Sequence, residues 1–187
     1  MADVGVEALP RATCGLHPRG GRELGVLAVW SASSAKPGNG VCCARDGSTD
    51  TYWQSDGAQP HTVTAQFARR VAVQCVALHA DFRRDESYTP LHVAVRVGNA
   101  SWDLREVVRV EMPEPQGWCT VPLPQDAHAC MRAFVVQVAV LANHQNGRDT
   151  HLRQVRVYGP PADAEEAAWT RAGASMGLVR HTCATLR

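Results

Sequence analysis

Long hydrophobic runs are missing from this sequence. No apolar stretch approaches the roughly 20 residues a helix needs to cross a bilayer, so no membrane partner is expected. An excess of one charge is missing too: 19 Lys and Arg stand against 18 Asp and Glu, a formal net charge of +1. Such a chain has no basic field able to neutralise a phosphate backbone, and nucleic acid is set aside as a partner. Metal-binding cysteine spacing is lacking as well. Cys14, Cys42, Cys43, Cys75, Cys119, Cys130 and Cys183 make an odd number and form no CxxC pair. The first residues mix Asp3, Glu7 and Arg11 with glycines and hold no apolar segment of the secretory kind. Reduced thiols in a protein of the nucleus and cytoplasm are therefore expected, with Cys75 and Cys119 serving as small buried hydrophobes. Catalytic signatures fail in the same way: there is no GxSxG elbow, no HExxH and no P-loop, and Gly38-Asn39-Gly40 lacks the third glycine and following helix of a dinucleotide site. His144 and His151 lie close in sequence without a third ligand. Neither enzyme chemistry nor a cofactor is expected.

What is present is a strand pattern. With 187 residues, 45% of them hydrophobic, the chain fits one domain with a proper core. Residues 1–22 show neither strand nor helix period and read as a flexible arm. From Glu23 the apolar period is 2. Val63, Ala65 and Phe67 alternate with Thr62, Thr64 and Gln66, and Leu91, Val93, Val95 and Val97 alternate with His92, Ala94 and Arg96. Val108, Val110 and Met112 repeat the pattern, as do Cys119, Val121 and Leu123, where Pro122 points to a sheet edge. Val71 to Leu78 and Phe134 to Ala142 are apolar on both faces and read as central strands. Turn clusters such as Lys36-Pro37-Gly38-Asn39-Gly40 separate the strands, and no long amphipathic helix precedes Pro160. The expectation is an all-β jelly-roll sandwich over residues 23–160, then a tail, 161–187, with a short helix from Asp163 to Arg171.

Two loops carry the density of directional groups that a peptide-reading surface needs. Asn143-His144-Gln145-Asn146-Gly147-Arg148-Asp149-Thr150-His151 offers amide, imidazole, guanidinium and carboxylate groups together. Asn146-Gly147 suits a turn with positive φ, so this segment reads as a hairpin loop, either solvated or built for recognition. Asp85-Glu86-Ser87-Tyr88 lies in the second loop, where Tyr88 fits both a contact residue and a cap on the core. Trp53 also has two readings, a core anchor or an exposed stacking residue, and the second, together with the acidic segment from Asp46 to Asp56, keeps a sugar-binding lectin open as the alternative function. The terminal pair Leu186-Arg187 offers an apolar side chain, a guanidinium and the free carboxylate, a combination that a partner groove can capture.

Leu27-Ala28-Val29-Trp30-Ser31, Lys36-Pro37-Gly38, the run from Asp50 to Gly57, Asp85-Glu86-Ser87-Tyr88-Thr89-Pro90 and the run from Ala139 to His151 closely resemble, in order, the Doc-domain family of anaphase-promoting complex subunits (subunit ten). The resemblance implies a galactose-binding-like jelly roll. It implies a non-catalytic role beside a WD40 coactivator, binding the destruction-box degron of substrates while a cullin and RING module transfers ubiquitin. It further implies that Asp85, Glu86, Ser87, Tyr88, Asn143, His144, Gln145, Asn146, Gly147, Arg148, Asp149 and His151 form the degron-facing surface, and that Leu186 and Arg187 dock on a TPR subunit. The family's tail usually ends in Ile-Arg; this chain ends in Leu-Arg, and the residues before it differ from the usual tail.

Overall fold

The computed structural model describes residues 9–14, 21–125 and 130–161. Twelve strands occur among them: β1 (Thr13–Cys14), β2 (Arg22–Glu23), β3 (Ala28–Ala32), β4 (Trp53–Gln54), β5 (His61–Val73), β6 (Cys75–Asp81), β7 (Pro90–Gly98), β8 (Arg105–Glu111), β9 (Gln116–Pro122), β10 (Met131–Asn143), β11 (His151–Leu152) and β12 (Gln154–Gly159). One turn of helix, α1 (Phe82–Asp85), follows β6, with Asp81 capping it by accepting from the Arg83 N–H. The strands form one five-stranded sheet, β3-β5-β10-β7-β8, a second, β1-β9-β6-β12-β2, and the small pair β11-β4. All named strand pairs are antiparallel. The all-β sandwich expected from the period is thus the observed fold.

The alternation decides the core. Val63, Ala65 and Phe67 of β5, Val93 and Val95 of β7 and Val136, Val138 and Val140 of β10 face Val76 and Leu78 of β6, Cys119 and Val121 of β9 and Val155 and Val157 of β12 in a single buried cluster. Their partners Thr62, Thr64 and Gln66 face outward from the same strands. Trp53 is completely buried, with its indole N–H donating to the Ser34 carbonyl at 2.9 Å, so of its two readings the core anchor is correct.

Four expectations change. The run Val71 to Leu78 is not one central strand: it breaks at Gln74, and β5 lies in one sheet and β6 in the other. Gln74 makes that crossing by giving its N–H to Tyr158 and its carbonyl to Leu123, both at 2.8 Å. Gln74 is the one polar residue in the run, and with both flanks buried it reads as an interruption of a single strand and not as a change of sheet. Nor is the segment after β10 a hairpin loop, because β10 belongs to the first sheet and the chain continues into β11, paired with β4, and β12, in the second sheet. Positive φ falls on Gln145 (52°) and Asn146 (58°), not on Gly147. Part of the arm is structured: Ala12 and Glu111 join through the Ala12 N–H, Glu111 returns its own N–H to Pro10, and Thr13–Cys14 pairs with β9. Residues 10–14 thereby run from the free edge of one sheet to that of the other, so β9, expected at an edge by Pro122, is covered by β1. Two-residue pairings use backbone groups and leave no period to read. Finally, Cys119 is disulfide-bonded, which removes it from the expected reduced thiols, whereas Cys75 is free and burial pushes its thiol up to about 11.

Register fixes a polarity. β5 starts at His61 and β10 ends at Asn143 on one end of the sandwich, which also carries α1 and the start of β7 at Pro90. The opposite end carries the start of β3, the β7–β8 turn and the β5–β6 crossing. Both polar loops singled out in the sequence lie at the first end.

Candidate recognition site

The site is built around one buried carboxylate. Asp85, the last residue of α1, is 5% exposed and accepts from Arg153 twice, at 2.8 Å from Nε and 2.7 Å from Nη2. His151 Nδ1 donates to the same carboxylate at 3.1 Å. Arg153 uses its remaining Nη1 on the Thr49 carbonyl at 2.8 Å, which ties the 48–50 loop to the same point. The bidentate geometry satisfies both oxygens and holds the guanidinium plane fixed. Burial pushes the Asp85 carboxyl up, but the hydrogen bonds from His151 and Arg153 and the Arg153 charge outweigh it, and its pKa ends below the ordinary carboxylate value. The His151 ring is stacked between Tyr52 and Tyr88, with centroids 4.1 and 4.3 Å away. Tyr88 is 39% exposed and presents its outer side to solvent.

The loop between β10 and β11 is clamped from three sides. Asn143, 3% exposed, reaches across it and donates its Nδ2 to the Gly147 and Asp149 carbonyls at 3.1 and 2.8 Å, fixing the loop's width. On the α1 side, the His144 N–H donates to the Thr89 carbonyl, the Thr150 hydroxyl to the Tyr88 carbonyl, and His144 Nε2 to the Met112 carbonyl at 2.9, 3.3 and 2.9 Å. On the other side, Gln59 Nε2 donates to the Gly147 carbonyl at 3.1 Å, while buried His61 gives its Nε2–H to the Arg148 carbonyl at 2.6 Å. Gly147 is where the two polar loops touch: a Cβ there would stand 1.8 Å from the Ser87 carbonyl oxygen, a spacing no side chain tolerates.

Of the twelve loop residues named from the sequence, the structure brings all to this end and divides them. Glu86, Tyr88, Gln145, Asn146 and Arg148 are exposed, and Ser87, His144, Gly147 and Asp149 are half-buried. Asp85, Asn143 and His151 are buried, so they hold the loops in place and do not meet solvent. Leu186 and Arg187 lie outside the described residues. Three contributors were not singled out: Tyr52, Arg153 and the Gly57-Ala58-Gln59 segment. The last, with Asn146, Gly147 and Arg148, lines a recess of about 220 Å³. Neither Arg153, which stands among His151, Gln154 and Arg156 between β11 and β12, nor Gly57 to Gln59 carried a local signal.

The acidic segment that motivated the lectin alternative is occupied by its own bonds. Asp46 accepts from the Ser48 N–H, the Thr51 hydroxyl and Gln154 Nε2 at 2.8, 2.6 and 2.8 Å. The Thr51 hydroxyl bond leads the causes that lower the Asp46 pKa, and burial opposes it. Trp53, its other motivation, has no exposed face. Trp53→Ala should therefore act through the core and lower stability by about 3–5 kcal/mol. A melt within 1 kcal/mol of the parent, measured by chemical denaturation, would contradict this placement.

In outline the molecule is a galactose-binding-like β-sandwich with its two polar loops at one end. The structure of the family 32 carbohydrate-binding module from C. perfringens NanJ in complex with galactose superposes on 74% of this chain and 98% of its own with a TM-score of 0.62, at 14% identity. That likeness defines the fold alone. The family described as "Anaphase-promoting complex, subunit 10 (APC10)" matches residues 9–182. Anaphase-promoting complex subunit 10 of Homo sapiens is 50% identical over 150 residues, 80% of this chain and 81% of that protein. The Drosophila melanogaster protein of the same name is 47% identical over 139 residues, 74% of this chain and 71% of its own. The chain belongs to the anaphase-promoting complex subunit 10 family.

Proposed function

We propose that this chain is a non-catalytic substrate co-receptor of the anaphase-promoting complex, whose two loops bind the destruction-box degron together with a WD40 coactivator and lengthen each substrate's stay on the ligase. The observation that carries the reading is the division of roles in the site: a buried Asp85–Arg153–His151 cluster fixes the loops, while exposed Asn146 and Arg148 line a recess of peptide side-chain size and half-buried Ser87 and exposed Tyr88 belong to the loop that meets theirs at Gly147. A prearranged polar surface of this kind binds an extended peptide without first paying for loop ordering. Docking of Leu186 and Arg187 on a TPR subunit, ubiquitin transfer by the cullin and RING module, and residence in nucleus and cytoplasm belong to the same proposal.

The test uses the complex reconstituted with coactivator and a destruction-box substrate. The triple variant Ser87→Ala, Asn146→Ala and Arg148→Ala should shorten substrate dwell time about tenfold or more, since one interface hot spot costs about 2 kcal/mol. Its melt should stay within about 0.5 kcal/mol of the parent per site, as exposed changes do. Unaltered dwell time and chain length per encounter would refute the proposal. His151 is unsuitable for this test because its ring is built into the cluster on Asp85.

A further inference from the structure

Two Asn-Gly pairs occur in the sequence, Asn39-Gly40 and Asn146-Gly147, and the structure treats them differently. The pairing matters chemically because glycine has no side chain to shield its backbone nitrogen. Once that nitrogen has lost its proton, it can attack the side-chain carbonyl carbon of the preceding Asn, closing a succinimide ring and expelling ammonia. Water then opens the ring at one carbonyl or the other, leaving aspartate or isoaspartate. Water is the only co-reactant.

At Asn146-Gly147 the groups that ring closure must move are held. The Gly147 N–H donates to the His144 carbonyl at 2.9 Å, and the Gly147 carbonyl accepts from Asn143 and Gln59, both at 3.1 Å. Asn146 sits in the left-handed region at φ 58°, and the Ser87 backbone lies against Gly147. An N–H engaged in this way gives up its proton poorly, and each hydrogen bond that ring closure must break slows it roughly fivefold to tenfold. At Asn39-Gly40 the same groups are loose. Among the described residues the Gly40 N–H has no acceptor and the half-buried Asn39 side chain no hydrogen-bond partner. Gly38 beside them, at φ 88°, borders open space, and a Cβ built on Gly40 would meet only the Cys42 sulphur, at 3.6 Å. The Asn39 carbonyl accepts the Gln54 N–H at 3.1 Å, a single bond for ring closure to break.

We propose that Asn39-Gly40 is a self-modifying site at which this chain converts to isoaspartate, and that the conversion loosens β4, the strand paired with His151. Gln54 is the link. It gives its N–H to Asn39 and its carbonyl to Lys36, at 3.1 and 3.0 Å, and it stands opposite His151 in the β4–β11 register. In isoaspartate the main chain runs through the former side chain and is one carbon longer, while the former Asn39 carbonyl becomes a free carboxylate on a branch. The turn from Lys36 to Asn39 then no longer matches Gln54. Gly40 also opens the helical turn Val41–Ala44, its carbonyl accepting the Cys43 N–H at 3.0 Å, so the added carbon displaces that turn as well. The inference is independent of what the recognition loops bind.

The experiment ages the full-length chain in warm neutral buffer and follows both Asn-Gly peptides by mass spectrometry. Methyl transfer from S-adenosylmethionine by an isoaspartyl methyltransferase is the probe for isoaspartate. In the folded chain Asn39 should convert about tenfold or more faster than Asn146, as the two additional hydrogen bonds at Gly147 require. In denaturant the two pairs should convert at similar rates, so that the difference belongs to the fold. The rate at Asn39 should rise with pH, because the attacking nitrogen must lose its proton. Aged parent should exchange the Gln54 amide hydrogen about tenfold faster than fresh protein, the loss of one hydrogen bond. Asn39→Gln, whose longer side chain closes the ring poorly, should age without either change. Equal rates at the two pairs in the folded chain overturn the proposal, as does an Asn39 that converts only in denaturant. Unchanged exchange at Gln54 in protein that carries isoaspartate at position 39 overturns it too, since β4 would then not depend on this turn.

Discussion

Asp85→Ala is expected to lower the stability of the domain by about 3–5 kcal/mol, because it strips a buried guanidinium of its counter-ion. Arg153 has a side chain only 4% exposed and gives two of its bonds to that carboxylate. His151 loses its Nδ1 partner at the same time. The loss should appear in chemical denaturation at neutral pH. It has a pH signature as well. The Asp85 pKa is lowered on folding, so its contribution is complete above the unfolded carboxylate value of about 3.9 and is lost as pH falls through the lower folded value. The parent should therefore weaken steeply below about pH 4, and Asp85→Asn, which keeps the shape but not the charge, should show a shallower acid limb. An Asp85→Ala protein as stable as the parent would mean that the cluster does not hold the loops. Substrate capture should fall with it, since α1, the 48–50 loop and β11 are all joined at this carboxylate.

The second large effect belongs to Gly147→Ala. The added methyl would stand 1.8 Å from the Ser87 oxygen, and the atom it meets is backbone, so one of the two loops must move. Gly147 φ is −58°, which means that alanine pays nothing in backbone conformation and the whole effect comes from crowding. Overpacking of this kind costs about 1–3 kcal/mol. Separation of the loops should also open the contacts of Gln59 and Asn143 to the Gly147 carbonyl. On the proposed function, substrate dwell time falls about tenfold or more, because the contact residues no longer share one geometry. Paired measurements decide it: a melt lowered by this amount with unchanged substrate dwell would show that the apposition of the loops is structural only. A melt equal to the parent would show that the loops accommodate the methyl.

Much of the fold was legible along the chain because alternation is a local property. Val63, Ala65 and Phe67 face inward for the same reason that Thr62, Thr64 and Gln66 do not, and that reason is visible in six consecutive residues. The crossing at Gln74 was illegible since both flanks are buried and nothing in composition distinguishes one sheet from the other. The candidate site was legible as a list of polar residues and not as an arrangement. Asp85 and Glu86 look alike in sequence, yet the first is buried under Arg153 and the second is exposed.

The amino-acid order by itself determined that this protein is a sandwich of half-buried strands, which polar strings interrupt it, and, through those strings, the family that owns them. Only the tertiary structure decided which of the polar residues hold the site and which present it. The partners that settle the matter for Asp85 are 66 and 68 residues away. A polar side chain goes inward when a complementary group from a distant segment meets it there, and no local pattern records that meeting.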